Sequence, residues 1–122
     1  MVQPLAIILN DRVVVGAQLE QKLEALDYRV KTSDDPGGLG SLALELKPLV
    51  VLVDLAKAEN LEAAAALKRH PETRHVPVVG YAPDVQPELQ ASADQAGLSL
   101  VLTDSAVLQH LKQLLEQALQ VD

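Results

Sequence analysis

The chain has 122 residues, 48% of them hydrophobic, and a formal net charge of -7, which supplies one core of ordinary size and the wrong sign for a phosphate-backbone partner. Cysteine is absent, which removes disulfide frameworks, thiol nucleophiles and thiolate metal sites together. Tyr28 and Tyr81 are the only Phe, Tyr or Trp rings, so the core must be aliphatic, and their scarcity argues against stacking platforms for single-stranded nucleic acid.

The N-terminus, Met-Val-Gln-Pro-Leu, lacks the basic region and long apolar run of a signal peptide, and no stretch is long and apolar enough to span a membrane. The expectation is a cytoplasmic protein. Leu5–Leu9 and Leu49–Val53 are continuous apolar runs of the kind that form strands buried on both faces of a parallel sheet. Val76–Val79 and Leu98–Leu102 are shorter versions, and Tyr28–Thr32 alternates as an edge strand does.

Helical patterns separate these runs. Val15, Leu19, Leu23 and Leu26 share one face of the first. Asp35 before Pro36 is placed to cap the second, Gly37–Leu46, whose glycines weaken its first turns. Leu61–Arg69 is rich in alanine, and Glu88–Ala96 ends at Gly97. The final pattern, Val107, Leu108, Leu111, Leu114, Leu115, Ala118 and Leu119, predicts one continuous amphipathic helix. Five strand-helix repeats imply one α/β domain over residues 1–122: a flavodoxin-like (βα)5 three-layer sandwich with strand order 2-1-3-4-5.

In that layout Asn10, Asp11 and Asp54 fall at the carboxyl ends of neighbouring strands, where open α/β sheets bind ligands. Asp11, Asp54 and Asp104, with Asn10 beside them, are candidate oxygen ligands for Mg²⁺ or Ca²⁺. Asp104-Ser105 also reads as the cap of the final helix. Tyr81 stands beside the same loops, either as a gate or as a ring packed at the edge of the core. The loop Pro36–Gly40 has no Lys-Ser/Thr ending and does not match a phosphate-binding fingerprint. His70, His75 and His110 are dispersed and read as surface residues. No nucleophile-base-acid arrangement is evident, so the chain is not expected to be an enzyme.

The segments Lys47–Leu55 (KPLVVLVDL) and Leu67–Val79 (LKRHPETRHVPVV), with Asn10-Asp11 after the first strand, make the chain resemble a response-regulator receiver domain of two-component signalling. The resemblance implies that Asp54 is the phosphoacceptor and that an acidic pair, here Asn10-Asp11, joins it in holding Mg²⁺. It also implies departures. The switch Ser or Thr aligns with Ala82, and the Lys after the fifth strand aligns with Asp104, which reverses the charge meant to pair with phosphate.

The leading expectation is therefore an atypical receiver that signals through protein–protein contact. Its partner would be a histidine kinase or a downstream effector, and the last helix with its neighbours would form a weak homodimer. A conventional receiver phosphorylated on Asp54 with Mg²⁺ is one alternative; a small-ligand-binding flavodoxin-like domain is another.

Overall fold

The computed structural model describes residues 4–118. Five strands, β1 (Leu5–Leu9), β2 (Arg29–Ser33), β3 (Val50–Asp54), β4 (Val78–Ala82) and β5 (Leu100–Thr103), form one parallel sheet in the order β2-β1-β3-β4-β5. They alternate with α1 (Val13–Ala25), α2 (Leu39–Leu46), α3 (Ala58–Arg69), α4 (Pro87–Ala96), and finally α5 (Asp104–Gln109) and α6 (Leu111–Ala118). This is the expected flavodoxin-like architecture.

Burial explains why the strands read as they do. β3 and β4 are buried along their whole length, as is β1 after its first residue, so both faces are apolar and the runs are unbroken. β2 lies at an edge and has no fully buried residue: Arg29, Lys31 and Thr32 are exposed and Val30 and Ser33 half-buried. Ile7, Leu9, Val51 and Val53 pack with Leu39 and Ala43 of α2, Ala64 and Leu67 of α3, and Ala93 of α4. Ala6, Ile8, Val50, Leu52 and Val79 pack on the other face with Leu19 and Leu23 of α1 and with α5 and α6. Gly80, mid-strand in β4, is required by packing: a Cβ there would sit 2.4 Å from Leu55 Cδ1 and 2.8 Å from Leu98 Cδ2.

Several boundaries differ from the sequence reading. β4 starts at Val78, not Val76, and runs on through Gly80 and Tyr81 to Ala82, beyond the apolar run that announced it. Leu49 precedes β3 and is 43% exposed. Asp35 does cap the segment after β2, its carboxylate accepting from Gly37 N at 3.0 Å, but the first turn, Pro36–Gly38, is a 3₁₀ turn. The predicted last helix is two helices, broken at His110 (φ -119°, ψ 24°). Periodicity could not register that break, because Val107 before it and Leu111, Leu114 and Leu115 after it enter the same core. Leu119, assigned to this helix from the sequence, lies outside the described residues.

Candidate functional site

The carboxyl ends of β1, β3 and β5 carry the predicted acidic residues, and the three carboxylates do not form one cluster. Asp54, the last residue of β3, has a fully buried side chain. Asp104 opens α5 and is about one-fifth exposed (21%). Between them lies Arg12, in the loop from β1 to α1, a residue the sequence reading did not single out.

Arg12 grips both acids. Its Nε donates to Asp54 Oδ2 at 2.6 Å and its Nη2 to Asp54 Oδ1 at 3.0 Å. Its Nη1 donates to Asp104 Oδ2 at 2.7 Å, and Nη2 also reaches Asp104 Oδ1 at 3.0 Å. Each carboxylate is thus engaged through both oxygens, the geometry in which a guanidinium binds most strongly. The two acids hold the Arg12 proton even more tightly than usual for arginine. Beneath, the guanidinium carbon lies 5.8 Å from the centre of the Tyr81 ring, within cation–π range.

The surrounding chain fixes these groups. Asn10 Nδ2 donates to the Arg12 backbone carbonyl at 2.7 Å, which sets the loop; the Asn10 side-chain Oδ1 accepts nothing among the described residues. Ala56 N donates to Asp54 Oδ1 at 2.9 Å, and buried Asn60 donates to the Asp54 backbone carbonyl at 2.9 Å. Asp104 is not the helix cap its position suggested. Thr103 caps α5 by accepting from Ala106 N at 3.2 Å, which frees the Asp104 carboxylate for Arg12.

Asp11 turns away from this group and pairs with Lys57 of the β3–α3 loop. The pairing lowers the Asp11 pKa and raises that of Lys57, the direct hydrogen bond being the main cause of both shifts. Tyr81 is fully buried in the core shared with α1 and α5, so it is a packed ring and not a gate. Burial raises its phenol pKa, with the Asp54 charge second.

Solved structures similar to this one include receiver domains. One is the receiver domain of a sensor histidine kinase of Pseudomonas aeruginosa with Mg²⁺ in its active-site cleft, 18% identical, covering 97% of this chain and 98% of its own length at a TM-score of 0.83. Another is the signal receiver domain of a modulated diguanylate cyclase of Desulfovibrio desulfuricans, 24% identical over 97% and 94% of the two chains at a TM-score of 0.82. A phosphorylated cyanobacterial phytochrome response regulator, 19% identical, covers 98% of this chain and 96% of its own at a TM-score of 0.80. The chain has the receiver-domain fold. No protein-family model and no curated protein matches the sequence.

Asp54 stands at the end of β3, Ala82 ends β4 and Asp104 follows β5. Mg²⁺ wants about six oxygen ligands in near-octahedral array. Here Arg12 occupies both oxygens of Asp54 and of Asp104 and Lys57 holds Asp11, which leaves Asn10 Oδ1 as the one buried side-chain oxygen of the four residues that is without a partner and unengaged by a cation. Among the described residues no group of three or more His, Cys, Asp or Glu is arranged to hold a metal. In this arrangement the residues present do not fit a divalent ion. The described chain also has no helix long and apolar enough to cross a membrane.

Sequence reasoning found the acids because strand ends are legible from hydrophobic runs. It missed Arg12, Lys57 and Asn60, whose roles depend on side-chain direction within loops or a first helical turn. The one available signal was arithmetic: three carboxylates at the carboxyl end of one sheet need cations, and Arg12 and Lys57 are the basic residues close to Asp11 and Asp54 in sequence.

Proposed function

We propose that this chain is a receiver-like signalling module that acts by binding another protein, with Asp54 withheld from phosphoryl transfer. One observation carries the reading: the Asp54 side chain is fully buried and Arg12 occupies both of its oxygens. A carboxylate so placed is a poor nucleophile, since attack requires a free oxygen and an open line of approach. Ala82 adds no hydroxyl to follow a phosphoryl group, and Asp104 would repel one. The fold is that of proteins whose work is signalling, which supports a histidine kinase or a downstream effector as the class of partner; catalysis on a separate substrate is no part of this reading.

The test is incubation of the full chain with a small phosphodonor and Mg²⁺, followed by intact mass. No adduct is expected. An adduct on the wild type that disappears in Asp54→Asn establishes the conventional phosphoacceptor instead, a reading favoured by the position of Asp54 at the end of β3.

A further inference from the structure

The Asp54–Arg12–Asp104 group has a chemistry of its own, independent of any partner. Two carboxylates, one ending β3 and one opening α5, present four oxygens to one planar cation, and all four accept from it at 2.6–3.0 Å. All three guanidinium nitrogens are used, one of them twice. A lysine ammonium, a single point charge, could not bridge the two carboxylates this way. The clamp is also preorganised: the Ala56 amide fixes Asp54, the Thr103 cap fixes the first turn that carries Asp104, and the Tyr81 ring forms the floor.

We propose that Asp54 and Asp104 form a guanidinium-binding site whose resident ligand is Arg12, so that the acidic end of the sheet carries its own cation and is selective against divalent metal. The ligand class is a monosubstituted guanidinium: planar, singly charged and donating along two edges. Two carboxylates and one guanidinium leave a single net negative charge. This residual charge gives a small incoming cation little gain for breaking four charge-assisted hydrogen bonds. The proposal concerns the site that the functional reading uses, but its test involves no phosphodonor, so the two can fail separately.

Emptying the site tests it. Arg12 sits at the α1 N-cap in ordinary extended geometry (φ -92°, ψ 110°), so Arg12→Ala introduces no backbone strain. Amide spectra of Arg12→Ala are followed while methylguanidinium, methylammonium or Mg²⁺ is titrated at constant ionic strength. Methylguanidinium at millimolar concentration should shift Asp54, Ala56 and Asp104 at least about tenfold more avidly than methylammonium, a discrimination equal to about 1.4 kcal/mol. It should raise the melting temperature of this variant, and do neither in Arg12→Ala with Asp104→Asn.

Equal response to the two organic cations, or tighter binding of Mg²⁺ than of methylguanidinium, overturns the proposal. So does a wild type whose melting temperature rises with millimolar Mg²⁺. Should Arg12→Ala fail to fold, the wild-type resonance of Arg12 Nη1–H, the group that donates to Asp104, decides. It should be resolved and slow to exchange, and become solvent-averaged in Asp104→Asn; a solvent-averaged signal in the wild type overturns the assignment.

Discussion

Tyr81 shows how one side chain can be legible as to place and illegible as to state. Its position beside the strand-end loops follows from the sequence; that its hydroxyl is buried with no protein partner among the described residues follows only from packing. A buried hydroxyl without a partner carries a desolvation penalty of about 1–3 kcal/mol. Tyr81→Phe removes that penalty and keeps an aromatic face under Arg12, so urea unfolding should find the variant as stable as the wild type or more so. The phenol also sets a pH dependence. Burial raises the folded-state pKa above the unfolded value of about 10, so the neutral form is favoured by folding. Its contribution is complete below about pH 10 and falls as pH rises beyond, where the unfolded chain ionises first. Unfolding curves between about pH 8 and 11 should therefore decline in the wild type and decline less in Tyr81→Phe. Tyr28, whose pKa burial also raises, keeps its share of the slope. Arg12 was illegible for a related reason. A cation beside an acidic pair is ordinarily a solvated neighbour, and nothing in Asn10-Asp11-Arg12 says that the acid turns to Lys57 while the base turns inward.

The elements were read well wherever burial alone writes the pattern and less well at their ends. β1 and β3 were recognisable as doubly buried strands, and Gly97 ends α4 at φ 89° in the left-handed conformation its position suggested. The start of the last helix was misread by one residue, with functional consequence, because Thr103 and Asp104 are both good capping residues and sequence offers no means of ranking neighbours. Thr103 prevails because the cap must be extended and its oxygen must face Ala106 N; Asp104, one residue on, is already helical. Thr103→Ala should lower stability by about 1 kcal/mol in denaturant unfolding, with Thr103→Ser recovering most of it. Since this turn carries Asp104, the same substitution should loosen the Asp104 pairing to Arg12. Faster hydrogen exchange at the first amides of α5 would register that loosening, and unchanged exchange there would separate the cap from the site.

At the scale of the molecule, the remaining question is whether the surface left over by the fold brings two copies together. The apolar stripe of the last helix suggested so from sequence, but Leu111, Leu114 and Leu115 are all buried against the sheet in α6. What α6 turns outward is Lys112, Gln113, Glu116 and Gln117, a polar face of mixed charge. Self-association through such a face has little hydrophobic drive and relies on paired charges across a two-fold axis, each pair contributing about 0–1 kcal/mol at exposed sites. It also works against the repulsion of two chains of net charge -7. The homodimer expected from the sequence would accordingly be weak and governed by the balance of these electrostatic effects. Sedimentation equilibrium should show monomer at micromolar concentration and a dimer only toward millimolar. Moderate salt should strengthen the dimer, because net repulsion acts over longer distances than the close pairs and is screened first. Exchanging Lys112 for Glu should abolish association without altering the thermal midpoint by more than about 2 °C, since an exposed residue of this kind contributes within about 0.5 kcal/mol to the fold. Strictly monomeric behaviour at the highest concentration would place the interaction surface elsewhere. The mouth of the site is then the next face to probe, where Val13 and Val14 at the start of α1 are 83% and 72% exposed.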